Sequence, residues 1–318
     1  MSWRAFLEPA PEKSPIILLR HGVRPCANPR TPIAGQPMRA VPNIPGYELV
    51  ACLGGGPMTC VYSARDCVDD TPCAVKLPRP TWEDQATAVK LLQREARAAL
   101  AARHPHLVPL RYAHVTTPPY FLVMDLLRGE TLRRRLRRDY RLDIPTAVWI
   151  ARQTADALSA LHRCGFLHGD VKPDNIRLVD DGTARLIDLG FAHRPGENAT
   201  FLREGYVMGT ANYLAPELCA FKSEADFSSD VFSLGVTLYE MLTGALPYPA
   251  GSVGQTIRRH SCDPPIDICR RAGALPTELT SLIGRLLAHK PADRPLATSV
   301  VQQLVAMVIK SLGKRRSA

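Results

Sequence analysis

Residues 168–175 read His-Gly-Asp-Val-Lys-Pro-Asp-Asn, and Asp188-Leu189-Gly190 follows them. The run sets a carboxylate (Asp170), a cation (Lys172), a carboxamide (Asn175) and a second carboxylate (Asp188) at short, fixed spacings. Phosphoryl transfer needs those parts together: a base to orient an incoming hydroxyl, and oxygen ligands to hold Mg²⁺ against the phosphates of a nucleotide. A single Asp often does no more than cap a helix or brace a turn. Two such caps would not also place Asn175 and Gly190, with Pro173 fixing the turn between them.

The elements that must position these groups can be sought along the chain. Leu53-Gly54-Gly55-Gly56-Pro57-Met58-Thr59-Cys60-Val61-Tyr62 has the glycines that let a turn's backbone approach a phosphate. Ala74-Val75-Lys76 follows on an expected strand. Glu95 lies in a stretch, Ala86 to Arg103, rich in helix formers. Ala215-Pro216-Glu217, Asp230 to Gly235 and Pro291-Ala292-Asp293-Arg294-Pro295 come later. In this order the motifs resemble the signature set of protein kinases. The likeness is to bacterial Ser/Thr protein kinases and their eukaryotic relatives, and runs from about Gly46 to about Leu312.

The resemblance implies a two-lobed α+β fold: a small β-rich N-lobe (about 46–124) with one main helix, a hinge (125–127) and a larger, mostly helical C-lobe (about 128–312). It implies ATP and Mg²⁺ as cofactors and protein Ser/Thr hydroxyls as substrates. Asp170 would orient the hydroxyl, Lys172 would neutralise the moving phosphoryl group, and Lys76, paired with Glu95, would clamp the other phosphates. Asn175 and Asp188 would hold the metal. Leu53, Gly54, Gly55, Gly56, Val61, Ala74, Met124, Asp125, Leu127, Glu130 and Arg177 would surround the nucleotide, with Met124 as gatekeeper. Thr210 would bond near Asp170 and Lys172, Asp230 would hold the backbone of His168, and Arg294 would pair with Glu217. Glu130 and Asp174 resemble acidic positions that meet basic residues upstream of the target hydroxyl, so a mild preference for Arg or Lys there is expected.

Composition agrees. With 318 residues, 46% of them hydrophobic, the chain has room for one two-lobed unit. No run of about 18 uncharged apolar residues exists, so no membrane span is expected. The N-terminus lacks a signal-peptide pattern, and a cytoplasmic setting with thiols rather than disulfides is expected for the nine cysteines. Cys60 sits in the phosphate loop, where oxidation would block ATP. Residues 1–45 read as a proline-rich, irregular arm with an apolar patch at Ile16 to Leu19, and residues 313–318 as a basic tail. The net charge of +10 is concentrated at Arg128, Arg133, Arg134, Arg135, Arg137, Arg138 and Arg141. The segment is expected to form a helix with a solvated face or, alternatively, a docking surface for an acidic partner. Aromatic interleaving and zinc spacing are lacking, so specific nucleic-acid binding is not expected.

Three departures from the family pattern stand out. Thr59 replaces the third glycine of the phosphate loop, and Pro57 stiffens its tip. Arg177 replaces an aliphatic residue under the base; strand alternation turns it away from Ile176 and Leu178. Gly169 stands where most relatives have an Arg whose charge is met by a phosphate on the activation segment. Without that charge, phosphorylation of Thr200 or its neighbours is not expected to be required, although His193 and Arg194 remain as phosphate holders. Two readings follow: an active Ser/Thr kinase, or a kinase-like scaffold with weak or no transfer.

Overall fold

The structure is a computed structural model and describes residues 42–56, 58–79, 85–203, 207–220, 223–249 and 251–316. Residues 1–41 of the expected arm, Pro57 and the end of the basic tail lie outside the described residues.

The N-lobe is an antiparallel sheet of five strands in the order β1-β2-β3-β5-β4. Its strands are β1 (Tyr47–Gly55), β2 (Thr59–Asp66), β3 (Pro72–Pro78), β4 (Leu110–His114) and β5 (Phe121–Asp125). β3 lies centrally, and Cys73 to Leu77 are buried on both faces. That suits a strand written almost without alternation. One helix, α1 (Gln85–Ala101), crosses the sheet. It buries Ala88, Leu91, Leu92, Glu95, Ala96 and Ala99, which recur at helical spacing, so Glu95 sits on the apolar face. The packed core begins slightly before the expected domain start: Ile44 is buried with Cys60, Cys73, Val75 and Phe121.

The chain then passes through β6 (Gly129–Thr131) into α2 (Leu132–Asp139) and α3 (Ile144–Arg163). β6 pairs with β7 (Ile176–Val179), and β7 with β8 (Ala184–Leu186), in a small second sheet under the N-lobe. The remaining helices are α4 (Ala199–Arg203), α5 (Pro216–Cys219), α6 (Phe227–Thr243), α7 (Val253–Cys262), α8 (Cys269–Ala272), α9 (Thr277–Leu286) and α10 (Ala297–Arg316). The C-lobe core is built on α3 and α6, whose Ala151, Ala155, Leu158, Phe232, Leu234 and Tyr239 are fully buried. Asp143 caps α3 with Pro145 in its first turn, and a reciprocal Asp226–Ser229 capping box starts α6. The last helix, α10, runs through into the basic tail. Among the described residues no helix is long and apolar enough to cross a membrane.

Candidate active site

The site lies where the two sheets meet α1 and the loop after α3. On the N-lobe side, Lys76 reaches Glu95 of α1 at 2.6 Å and Asp188 at 2.6 Å. Lys76 and Glu95 are 4% and 3% exposed, whereas the Asp188 side chain is 46% exposed and faces the cleft. Burial disfavours the ammonium, but the two carboxylates overrule it and raise the Lys76 pKa. Burial would also raise Asp188; the charge and hydrogen bond of Lys76 hold it down at about 2. Glu95, fully enclosed, is pushed up by burial against the pull of Lys76.

On the C-lobe side, the loop 168–175 is hung from one buried residue of α6. The carboxylate of Asp230 accepts the backbone N–H of His168 at 2.7 Å and of Gly169 at 2.9 Å, and lies 2.9 Å from His162 Nε2. Burial would raise its pKa; these partners lower it instead. The loop folds on itself through Asp170. Thr210 Oγ1 donates to Asp170 Oδ1 at 2.7 Å, Lys172 Nζ is 2.6 Å from Oδ2, and Asn175 Nδ2 donates to Oδ2 at 3.0 Å. Lys172 also donates to Thr210 Oγ1, so four side chains form one closed network. Arg294 and Glu217 form a bidentate pair at 2.7 and 2.8 Å beneath it.

The donors fit a hard divalent cation. Asn175 donates through Nδ2 and leaves Oδ1 as an acceptor. Asp188 uses Oδ1 for Lys76 and for the N–H of Gly190, leaving Oδ2 on its exposed side. One carboxylate and one amide oxygen are what Mg²⁺ takes from a protein when phosphates and water complete its shell.

The nucleotide-side residues cluster above this centre. Leu53 is 55% exposed at the end of β1, and the strand continues through Gly54 and Gly55 at φ +143° and +151°. A Cβ on Gly55 would lie 2.3 Å from the Thr59 carbonyl, so no other residue fits there. Val61 pairs with Lys76 across β2–β3, and Ala74 with the buried Met124 across β3–β5, leading to Asp125 and Leu127. Arg177 lies on the opposite face of β7 from the fully buried Ile176, as alternation requires. Its Nε is buried without a partner, and burial lowers its pKa against the pull of Asp180 and Glu130. Cys60 is 2% exposed, its thiol 3.8 Å from the Leu77 carbonyl, so the expected oxidation at the loop has no accessible sulfur. None of the eight described cysteines is in a disulfide.

The sequence model of the protein kinase domain matches residues 47–305. The chain belongs to the protein kinase family. It is 37% identical to the serine/threonine-protein kinase PknD of Mycobacterium tuberculosis over 249 residues, 78% of this chain and 37% of that protein. PknH of Mycobacterium bovis is 37% identical over 250 residues, covering 78% and 41%. The serine/threonine-protein kinase pkn3 of Myxococcus xanthus is 32% identical over 282 residues, covering 86% and 51%. The chain thus spans about half or less of the length of these curated relatives.

Within this kinase domain, two features depart from the expectations. The arginine helix α2 is not uniformly solvated. Arg133 turns inward and pairs with Glu240 at 2.5 Å and Asp174 at 3.0 Å; it also donates to Tyr213 OH, which donates to Glu240 at 2.6 Å. Burial, then Glu240, raises the Tyr213 pKa and keeps the phenol protonated. Arg138 lies 3.0 Å from Glu130. The two carboxylates expected to meet basic substrate residues are therefore already held by α2, because Leu132 and Leu136 anchor that helix with Arg133 on its inner flank. Arg135 and Arg138 bond Asp139, while Arg134, Arg137 and Arg141 remain exposed.

The second feature is a contact between α1 and the activation segment. Arg94 donates to Asn198 Oδ1 at 2.9 Å and to the Glu197 carbonyl at 3.4 Å, and Arg97 reaches the Glu197 carboxylate at 3.3 Å. Arg94 adjoins Glu95 in sequence, but nothing local points to partners a hundred residues away.

Proposed function

We propose that this chain is an ATP- and Mg²⁺-dependent Ser/Thr protein kinase. The observation that carries the reading is the closed Asp170–Lys172–Asn175–Thr210 network beside the formed Lys76–Glu95–Asp188 triad. Those are the groups the transfer requires, gathered at one cleft.

Mg²⁺, held by Asn175 and Asp188, would neutralise phosphate charge. Lys76, fixed by Glu95, directs its ammonium toward the same cleft. Asp170 accepts Lys172 and Asn175 on Oδ2 and Thr210 on Oδ1, which keeps a second lone pair to orient the Ser or Thr hydroxyl. As the hydroxyl oxygen bonds to the γ-phosphorus, the bond to the bridging oxygen of ADP breaks and the hydroxyl proton passes to Asp170. Lys172, whose charge also acts on Asp188, lies where phosphoryl charge develops. Met124, Asp125 and Leu127 would border the adenine side of the cleft, with Glu130 just after them and Arg177 under the base.

The scaffold reading is the less favoured one, since Lys76, Asp170, Asn175 and Asp188 are all present, with Lys76 bonded to Asp188 and Asn175 to Asp170. An acidic partner for α2 is narrowed to Arg134, Arg137 and Arg141. To test the assignment, the protein is incubated with γ-labelled ATP, Mg²⁺ and a mixed protein substrate, and the labelled product is hydrolysed to amino acids. Label on phosphoserine or phosphothreonine is expected; label on phosphotyrosine, or none, would count against it.

A further inference from the structure

We propose that Glu197 and Asn198 latch the activation segment onto α1 through Arg94 and Arg97, so that the Lys76–Glu95 pair stands without a phosphate on that segment. This rests on the kinase reading above and assigns the regulation of that site.

The latch acts on the flank of the helix that carries Glu95. Arg94 and Arg97 project from α1 toward 197–198, while Glu95 faces Lys76. Gln93, on another side, holds the Val115 carbonyl at 2.8 Å. The segment side of the latch is itself braced: the Glu197 carboxylate accepts the backbone N–H of Arg194 at 3.2 Å. Apolar packing closes the same joint, with Ala88 and Leu91 of α1 against Met58 and Phe191. Both helix position and segment position are thus set by a carboxylate, an amide and two guanidinium groups already in the chain. An anion bound by Arg97 at the exposed flank of α1 is what a phosphate would otherwise supply.

The surroundings of Gly169 point the same way. Gly169 has φ +79°, and a Cβ there would meet the Phe191 carbonyl at 2.8 Å. The adjoining cavity, of ≈ 40 Å³, is bordered by Gly169, His193, Asn198, Glu224 and Asp230 and, among the described residues, by no Lys or Arg. His193 Nδ1 is 2.8 Å from the Phe191 carbonyl, its Nε2 is buried without a partner, and burial lowers its pKa, which disfavours a charged ring. Arg194 lies over the Phe166 ring, 4.8 Å from its centroid. Of the two expected phosphate holders only His193 borders this space, where burial disfavours its charge, and the carboxylates of Glu224 and Asp230 repel an anion. Thr200 is exposed, and its hydroxyl accepts Arg203 from within its own short helix.

The test uses the full chain after phosphatase treatment, with its unphosphorylated state confirmed by mass spectrometry. Transfer to an outside peptide and hydrogen exchange of the α1 amides are both measured. The unmodified protein and Thr200→Ala are expected to keep full activity. The double variant Glu197→Gln/Asn198→Ala is expected to lose about tenfold in kcat, or 1.4 kcal/mol, with peptide KM unchanged and α1 exchange faster. Swapping charges, Arg97→Glu with Glu197→Arg, should recover much of what Glu197→Arg alone loses. A tenfold loss on phosphatase treatment, or parental rate and exchange in the double variant, would overturn the latch. If the protein transfers no phosphate to any substrate, the kinase reading has failed, and the exchange of α1 alone then decides: faster in the double variant supports the latch, unchanged refutes it.

Discussion

At the scale of single residues, the site is a set of charges that are tolerable only together. Lys76 is expected to contact phosphates, and in the structure it is also part of the buried interior, 4% exposed between two carboxylates. Lys76→Met should therefore abolish transfer and also lower the melting temperature, because Glu95 would be left buried without a counter-charge at a cost of about 3 kcal/mol. Adding Glu95→Gln in that background should recover stability but not activity. A Lys76→Met protein that melts like the parent would show that Glu95 does not depend on this ammonium. Gly169 gives a second residue-level expectation. Gly169→Ala puts a Cβ in a left-handed backbone, 2.8 Å from a carbonyl, and should destabilise the fold by about 1–3 kcal/mol in urea titration. Asp170, Lys172, Asn175 and Asp188 were legible in the sequence because their spacing is local. Arg133 with Glu240, and Arg94 with Asn198, were not, because each pair joins residues far apart in the chain and nothing in either neighbourhood marks it.

Elements carry those groups, and most were legible from periodicity and capping. β3 reads as an unbroken apolar strand and lies centrally; α1 carries Glu95 in phase with Ala88, Leu92 and Ala99. The arginine run was read correctly as a helix, but its inner flank was not, since helical phase alone does not say that Arg133 faces Glu240. An element-scale expectation concerns α7. His260 is 1% exposed, its Nδ1 lies 2.7 Å from the Leu214 carbonyl at the end of the activation segment, and burial lowers its pKa from 6.5 to about 4. The unfolded chain binds a proton on this ring below about pH 6.5, while the folded chain does so only near pH 4. Stability is thus fully present above about 6.5 and falls as the pH drops toward 4, by about 3 kcal/mol in all. Urea midpoints at pH 7.5 and 5 should differ, and His260→Gln should shrink the difference. Equal pH dependence in both proteins would assign the effect elsewhere.

For the whole molecule, the two lobes meet at the cleft and bring Lys76 and Glu95 from one side to Asp188 and Asp170 from the other. Catalytic readiness is thus a property of how the lobes close and not of either alone. A nucleotide that bridges them should stabilise the fold by mass action, about 2.7 kcal/mol at a hundred times its dissociation constant. The melting temperature should rise with Mg²⁺-ATP in the parent and much less in Asp188→Asn. An equal rise in both would remove Asp188 from the metal site. The central claim is that this cleft transfers phosphate, and Asp170→Asn tests it most directly, since the amide keeps the shape and removes the base. With Mg²⁺, labelled ATP and a Ser/Thr peptide, the parent is expected to transfer label at a rate 10²–10⁴-fold above the variant, with ATP binding alike in both; equal rates in the two proteins, or no transfer by either, would contradict the account.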